Sequence, residues 1–282
     1  MRLNVWKKNE YLEYFWSTSF SMRIATWNIN SVRLRIHHVL RFIKEFDIDV
    51  MCLQETKTED DYFPISQFID AGMKYCNFRG EKSYNGVAIL SKIPIKENSF
   101  ELWCGLNDTR HISVVLENNI KIHNFYVPAG GDEPDIKINK KFNHKINFIK
   151  EMNKYFNKIN LKKTILVGDL NIAPYENDVW SHKQLLNVVS HTPIETELLS
   201  KLIDVSNWVD VGRQFVSKNE KLYSWWSYRN RDWKKSNSGR RLDHIWVSKD
   251  LDTILKSFLS CKEIRDWEKP SDHIPLIVEL AI

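Results

Sequence analysis

The stretch "TILVGDLNIAP", residues 164–174, is the clearest indication of how this chain folds. Its first half, residues 165–167, has the aliphatic composition of a buried strand, whereas the second half places Asp169 and Asn171 directly behind it. A buried strand does not normally end on a carboxylate without a partner for that charge. The stretch therefore predicts a buried strand that carries polar side chains to a site at its end.

Apolar runs in the rest of the chain alternate between strand and helix periods. Ser31 is the predicted cap of a first helix, a second covers 139–159 and a third covers 194–205. No linker rich in Gly, Pro or Ser divides the chain, so we expect an α/β fold in which two packed sheets carry helices outside. The predicted strands are 23–28, 49–55, 85–91, 111–117, 120–127, 164–169, 222–228, 241–248, 253–260 and 274–280.

Composition restricts the classes of protein that this chain can represent. Its 282 residues are 43% hydrophobic, enough for a sizeable core, and the longest apolar runs are too short to cross a membrane. A net charge of +5 permits an anionic partner. Four widely separated cysteines argue against a zinc site and favour a reducing compartment. We expect residues 1–21 to be a dispensable extension and 22–282 to be one domain.

Several predicted strands share the polar ending of the opening stretch. Asn28, Glu55, Tyr126 and Asp169 each close a strand, and the segment "PSDH", which ends at His273, precedes the last one. A single Asp or Asn at a strand end more often forms a turn than takes part in a functional site, and a lone histidine is more often structural than catalytic. Rigid strand ends from distant parts of a chain are nevertheless natural places to assemble a site.

The carboxylates of Glu55, Asp169, Asp243 and Asp272 would repel one another if they met without compensation. A divalent cation is the usual compensation, and oxygen ligands suit Mg²⁺ or Mn²⁺. Hydrolysis of a phosphate ester fits such a group. Asp169 with Asn171 would then take a proton from water, and a histidine paired with Asp243 would stabilise developing charge.

Seven ordered motifs resemble the exodeoxyribonuclease III family of abasic-site DNA endonucleases. That group lies within the endonuclease/exonuclease/phosphatase superfamily, which also contains DNase I. The resemblance covers 22–282. The motifs are "WNINSVR" (27–33), "LQETK" (53–57), "YNGVAIL" (84–90), "YVPAG" (126–130), "GDLNIAP" (168–174), "RLDHIWVS" (241–248) and "KPSDHIP" (269–275).

The resemblance implies a DNase I-like, four-layer α/β sandwich of two mixed sheets flanked by helices. It implies Mg²⁺-dependent cleavage of the phosphodiester 5′ to abasic sites in duplex DNA, with 3′-to-5′ exonuclease and 3′-phosphodiesterase activity. The implied partner is duplex DNA, with no membrane. The protein would be a monomer in the cytoplasm of a bacterial-type cell, associated with the nucleoid.

The resemblance also assigns roles at the strand ends. Glu55 would be the main metal ligand, Asn28 would support the metal, and Tyr126 would contact the phosphate. Asp272 would lie close to the metal or the leaving oxygen. The remaining catalytic roles would fall to Asp169 as activator of water, Asn171 as its orienting amide, and Asp243 paired with His273.

Three positions depart from the family pattern. Asn30 stands where some members carry an aspartate that assists the metal, and Ala129 replaces a polar amide that follows "YVP". Arg240 stands where some relatives carry a tryptophan that lines the pocket for the abasic sugar. Trp225 and Leu242 remain as expected walls of that pocket.

The segment "SWWSYRNRDWKKSNSGRR", residues 224–241, interleaves aromatic and basic side chains. Basic groups hold backbone phosphates while aromatic rings stack on bases, so the segment favours nucleic acid. A solvated loop with buried tryptophans is the plainer interpretation. A phosphatase acting on a small or lipid phosphate and a catalytically inactive DNA-binding module remain alternatives. The predicted substrate-binding residues are Lys57, Trp225, Arg229, Arg231, Lys234, Lys235, Arg240 and Leu242.

Overall fold

The computed structural model describes residues 21–230 and 232–282. The predicted extension therefore lies outside the described residues except for Ser21, which opens the first strand. Arg231 also lies outside them. The proposed boundary at residue 22 stays a prediction.

Fourteen strands and seven α-helices make up the described fold. The strands are β1 (Ser21–Asn28), β2 (Val50–Gln54), β3 (Tyr75–Arg79), β4 (Val87–Ser91), β5 (Ile95–Ser99), β6 (His111–Leu116), β7 (Lys121–Tyr126), β8 (Thr164–Asp169), β9 (Trp208–Asp210), β10 (Trp225–Trp226), β11 (Gly239–Arg240), β12 (Asp243–Ser248), β13 (Leu255–Ser260) and β14 (Leu276–Ala281). The helices are α1 (Val32–Glu45), α2 (Ile65–Asp70), α3 (Lys140–Phe156), α4 (His182–Leu185), α5 (Pro193–Val205), α6 (Val211–Phe215) and α7 (Trp233–Ser236).

Two six-stranded sheets form the centre of the molecule. The first has the order β13-β14-β1-β2-β4-β3 and the second has the order β5-β6-β7-β8-β12-β9. Both are mixed, because β1–β2 and β7–β8 are parallel pairs within otherwise antiparallel sheets. A separate two-stranded ribbon pairs β10 with β11.

Alternation along the strands sends one set of side chains between the sheets and the other set outward. Ile24 of β1 and Val167 of β8 belong to the same buried cluster between the sheets. Phe42 of α1 packs with Ala25 on the outer face of the first sheet. Phe148 of α3 packs against the outer face of the second sheet. The predicted four-layer sandwich of helix, sheet, sheet and helix is confirmed.

Strand ends from both sheets meet at one end of the sandwich. In the first sheet Asn28 lies opposite Gln54, and Glu55 is the next residue after Gln54, so Glu55 lies close to Asn28. In the second sheet Asp169 lies opposite both Tyr126 and Asp243. The polar residues that close the predicted strands therefore share one rim, as expected from strand ends that come from distant parts of the chain.

The structure differs locally from the sequence-based expectations. The predicted strand over 222–228 is reduced to β10, because the backbone N–H groups of Leu222, Ser224 and Trp226 donate to three separate segments, at Asn177, Arg240 and Asp272, rather than to one long partner strand. Ser31 precedes α1 but makes no side-chain capping bond, whereas Asn139 caps α3 through the amides of Lys141 and Phe142. In the described part of the chain, no helix is long and apolar enough to span a membrane.

Candidate active site

One asparagine joins the carboxylates of the two sheets. The Asn28 Nδ2 atom donates hydrogen bonds of 2.8 Å to Glu55 Oε1 and 2.8 Å to Asp169 Oδ2. The backbone N–H of Asn30 donates to Asn28 Oδ1 at 3.1 Å, which fixes which way the amide faces. Asn28 is fully buried, so its two donors hold the acidic side chains at a fixed separation.

Glu55 pairs with a lysine of the rim that contacts its carboxylate. Lys57 Nζ lies 2.7 Å from Glu55 Oε2 and donates to Asn30 Oδ1 at 2.6 Å. Burial favours a raised pKa at Glu55, but Lys57 and the Asn28 amide outweigh it and lower the pKa. Glu55 and Lys57 both have φ of 50°, in the left-handed region that non-glycine residues rarely occupy. Such strain is typical of functional sites, and here it turns both side chains into the rim.

Tyr126 lies beside this acidic pair with its ring under the guanidinium of Arg110, 4.9 Å from the ring centroid. Burial, then the charges of Glu55 and Asp169, raise the pKa of the tyrosine well above its ordinary value. The phenol therefore stays protonated and serves as a hydrogen-bond donor.

Asp169 is held by its own downstream turn. The Asn171 backbone N–H donates to Asp169 Oδ1 at 2.9 Å, and Asn171 Nδ2 donates to Asp169 Oδ2 at 3.2 Å and to the Val127 carbonyl at 2.9 Å. Gly168 has φ of 137°, and a Cβ there would lie 2.0 Å from the Phe125 carbonyl oxygen. Only glycine fits this approach, which explains why the buried strand passes through Gly168 before its carboxylate. Burial raises the pKa of Asp169.

His273 forms a dyad with Asp243. His273 Nδ1 lies 2.8 Å from Asp243 Oδ2, and His273 Nε2 lies 3.7 Å from Asp169 Oδ2. Burial would lower the pKa of His273, but Asp243 and Asp169 outweigh it and raise the pKa to about 10. The imidazole is therefore a donor that faces the acidic group.

Backbone and side-chain bonds hold the dyad in place. Ser224 Oγ accepts hydrogen bonds from the backbone N–H groups of Leu242 and Asp243, at 3.0 and 2.9 Å. Trp27 Nε1 donates to the His273 carbonyl at 3.0 Å. Ser271 Oγ donates to the Asn28 carbonyl at 2.7 Å, which ties the segment of His273 to β1.

Asp272 lies at the edge of the rim and is fully hydrogen-bonded. Asn30 Nδ2 donates to its Oδ1 at 3.0 Å, and Trp225 Nε1 donates to its Oδ2 at 2.9 Å. Burial favours a raised pKa, but His273 and these two donors outweigh it, so the pKa of Asp272 is lowered. The carboxylate is therefore ionised next to the dyad.

A metal ion fits this group of residues. Ligand atoms of Glu55, Asp169 and His273 all lie within 4.8 Å of one another, and they are the one such group in residues 21–230 and 232–282. Two of the three are carboxylates, the donors that hard divalent cations prefer. The two carboxylates therefore suit the divalent cation that the sequence predicts, whereas the protonated His273 is a hydrogen-bond donor beside the cation rather than a ligand.

Apart from Lys57, which pairs with Glu55 in the rim, the predicted substrate-binding residues within the described chain occupy three different environments. Trp225, Arg229 and Arg240 line one cavity of about 530 Å³ beside the rim. Leu242 is buried, with 5% of its surface exposed, and is not among the residues that line this cavity. Lys234 and Lys235 lie on α7, where Lys234 Nζ pairs with Asp266 Oδ2 at 2.6 Å. The substrate-binding roles of these residues stay predictions.

Sequence patterns did not reveal the residues that support the site. Ser224, Ser271 and Trp27 act by hydrogen bonds to backbone groups, which no motif spacing encodes. Asn30, which departs from the family pattern, joins Lys57 to Asp272. Ser271 lies inside "PSDH", so the motif itself was the signal that could have identified it.

Comparisons with known proteins identify the family and the fold of this chain. Residues 25–273 match the Endonuclease/Exonuclease/phosphatase family. Exodeoxyribonuclease III of Haemophilus influenzae is 30% identical over 272 residues, which are 92% of this chain and 99% of the relative. An AP endonuclease from Archaeoglobus fulgidus has a TM-score of 0.86 and 31% identity, covering 93% of this chain and 100% of that one. A 3′ phosphatase from Neisseria, bound to a product DNA hairpin, has a TM-score of 0.83 and 27% identity over 92% of this chain and 99% of that one.

Proposed function

This chain belongs to the endonuclease/exonuclease/phosphatase family and to its exodeoxyribonuclease III group, and we propose that it is a nuclease that repairs duplex DNA. Its reaction is hydrolysis of the phosphodiester 5′ to abasic sites, together with removal of nucleotides and blocking groups from 3′ ends. One observation supports the proposal most strongly. Glu55, Asp169 and His273, from three distant segments, place two carboxylate oxygens and an imidazole nitrogen within 4.8 Å of one another at a rim shared by both sheets.

Mg²⁺, or Mn²⁺ in its place, is the proposed cofactor. Glu55 is the principal proposed ligand, with Asn28 fixing its orientation and Asp272 nearby. When bound, the cation neutralises negative charge on the phosphate and on the leaving oxygen.

The residues around the cation would accept the proton of water, position the general base and donate hydrogen bonds to the phosphate. Asp169 accepts a proton from the attacking water, since burial raises its pKa toward the range useful for a general base. Asn171 positions Asp169 through two hydrogen bonds. His273 donates from Nε2 to a phosphate oxygen, because Asp243 holds its Nδ1. The protonated phenol of Tyr126 supplies a further donor.

A duplex oligonucleotide with one tetrahydrofuran abasic analogue tests the proposal. We expect cleavage 5′ to the analogue in Mg²⁺, no cleavage in EDTA, and at most slow attack on an inositol phosphate. Asp169→Asn is expected to lower kcat by at least ~10²-fold with DNA affinity nearly unchanged, the low end for a positioned general base. Asp70→Asn, on the exposed end of α2, is the matched control and should keep wild-type turnover.

Two outcomes would refute the proposal. DNA binding without hydrolysis in any divalent cation would indicate an inactive binding module. Faster hydrolysis of the inositol phosphate than of the abasic duplex would indicate a phosphatase for small or lipid substrates.

The same proposal extends to the state and location of the protein. A monomer suffices, because all the proposed catalytic groups come from one chain. Duplex DNA as substrate would place the protein at the nucleoid in a bacterial-type cytoplasm. Light scattering of the purified protein with and without duplex DNA measures its oligomeric state directly.

A further inference from the structure

Among the lysines of the described residues, only Lys145 is buried, and none of its side chain is exposed. It lies on the buried face of α3, beside Ile146 and Ile149. A lysine is almost never buried completely unless its charge is paired. The proposed catalytic roles do not use this ammonium, so its burial calls for another function.

The Lys145 ammonium has three acceptors, one for each of its protons. Its Nζ lies 2.5 Å from Glu195 Oε1, and it donates to the Asn171 carbonyl at 2.8 Å and to the Ala129 carbonyl at 3.2 Å. Glu195 lies in the first turn of α5, Asn171 in the turn after β8, and Ala129 in the loop after β7. One buried cation therefore joins three segments that meet behind the catalytic rim.

Glu195 gives this cation a counter-ion in a fixed position. The Glu195 carboxylate accepts hydrogen bonds of 2.7–3.1 Å from the backbone N–H groups of Ser190 and Thr192 and from Thr192 Oγ1. Thr192 and Glu195 form the capping box of α5, which fixes the carboxylate at the start of that helix. The ammonium is therefore held from the helix side, and its other two protons are available to the carbonyls.

The turn at Asn171 depends on support from its surroundings. Asn171 has φ of 55°, in the left-handed region that a non-glycine residue keeps only where neighbouring contacts hold it there. Its backbone N–H and its side-chain amide bind the two carboxylate oxygens of Asp169, at 2.9 and 3.2 Å. Lys145 binds the carbonyl of the same residue. The lysine therefore supports the turn that directs the proposed general base.

The loop after β7 wraps closely around the lysine side chain. Gly130 has φ of 93°, and a Cβ there would lie 2.9 Å from Lys145 Cδ. The Val127 carbonyl of the same loop accepts a hydrogen bond of 2.9 Å from Asn171 Nδ2. Burial lowers the pKa of Lys145, and Asp169 is one of the carboxylates that oppose this effect. The cation therefore lies within electrostatic reach of the proposed general base.

We propose that Lys145 is a positioning residue for the hydrolysis: it fixes the turn at Asn171 and thereby the direction in which Asp169 faces the attacking water. The inference rests on the proposed nuclease function and deepens it. Because Lys145 is fully buried, it does not contact DNA, and its effect falls on kcat rather than on KM. A lysine that only stabilised the fold would not divide the two constants in this way.

A paired variant separates positioning from stability. Lys145→Met leaves Glu195 as an unpaired buried charge, which destabilises the fold whatever else the lysine does. Adding Glu195→Gln removes that charge, so the Tm should regain about half of the loss or more, whereas the Asn171 and Ala129 carbonyls still lack their donor. We expect kcat of the paired variant on the abasic duplex to stay at least ~10-fold below wild type, the low end for a hydrogen bond from a charged group, with KM within ~3-fold.

Met152→Ala is the matched control for a loss of stability. Met152 lies two turns further along α3 and is also fully buried, but it makes none of the hydrogen bonds that hold the turn. Its truncation leaves a cavity and lowers the Tm. At a temperature where circular dichroism shows every variant to be folded, we expect Met152→Ala to keep kcat within ~2-fold of wild type.

A double-mutant cycle with Asp169→Asn tests the route of the effect. If Lys145 acts by directing the Asp169 carboxylate, the paired variant has little left to disturb once that carboxylate is gone. In the Asp169→Asn background we therefore expect the paired variant to lower the residual kcat by less than ~3-fold. Effects that multiply in full would overturn the route through Asp169.

Failures of the two proposals are distinguishable. A kcat that recovers together with the Tm in the paired variant would overturn the positioning role while leaving the nuclease intact. Absence of hydrolysis of the abasic duplex by the wild-type protein would overturn the proposed function itself. If the paired variant does not fold, Lys145→Gln with Glu195→Gln answers the same question, because the shorter amide cannot reach both carbonyls and the same loss of kcat is expected.

Discussion

Replacing Asn28 by alanine is the most direct test of how the site is held together. The side chain donates two hydrogen bonds of 2.8 Å, one to each carboxylate of the acidic pair. A hydrogen bond to a charged group contributes about 1.5–3 kcal/mol. Two bonds at the lower value amount to about 3 kcal/mol, which corresponds to roughly 10²-fold in rate if the bonds position the groups for the transition state.

We therefore expect Asn28→Ala to lower kcat/KM on the abasic duplex by about 10²-fold in saturating Mg²⁺. The assay is steady-state cleavage of a labelled duplex, with circular dichroism to verify the fold. Asn98→Ala, on the exposed strand β5, is the matched control and should retain wild-type kinetics. A loss smaller than threefold in a folded Asn28→Ala protein would show that the amide does not position the carboxylates.

Three further predictions concern stability and binding. Lys145→Met breaks a buried ion pair with Glu195. We expect the free energy of unfolding to fall by about 3–5 kcal/mol and the Tm to fall by at least about 6 °C. An unchanged Tm in differential scanning calorimetry would contradict the pairing. Burial lowers the pKa of His123 to about 3, below the value of about 6.5 for a histidine in the unfolded chain. Below pH about 6.5 the unfolded chain therefore binds a proton that the folded protein does not, and the stability of the fold decreases as the pH falls. Urea titrations at pH 7 and pH 5 should show a loss of about 2 kcal/mol from this group, and His123→Asn should show a smaller pH dependence. Neutralising Arg229 and Lys235 to glutamine should reduce the salt dependence of DNA affinity by about one unit each, and an unchanged slope would place both side chains away from DNA.

The layers of the fold and the rim of the site could be predicted because both depend on local patterns. Apolar runs marked strands such as β8, and a polar residue at each strand end marked the edge where Asp169 and Glu55 meet. Strands β3, β5, β9 and β11 were not predicted: β5 has four exposed residues out of five and lacks an apolar period, and β9 and β11 have only three and two residues. Apolar periodicity predicts a strand only where one face of that strand is buried.

The hydrogen bonds within the site could not be predicted in the same way. The bridging role of Asn28 depends on how the first sheet is aligned against the second, which is a property of packing rather than of spacing. The pairing of Trp225 with Arg240 in a two-residue ribbon carries no periodic signal at all. Such contacts follow from tertiary structure, so the sequence predicts the Asp243–His273 and Asp169–Asn171 pairs but not the bridge through Asn28 or the Trp225–Arg240 pair.

The site is assembled across the boundary between the two sheets, with Asn28 and Glu55 on one side and Asp169, Tyr126 and Asp243 on the other. The turnover rate therefore depends on how precisely the two sheets stay aligned. A small slip of one layer over the other would separate Asn28 from Asp169 while leaving each sheet intact. At moderately raised temperature or in dilute denaturant, we therefore expect catalytic activity to decrease before secondary structure is lost.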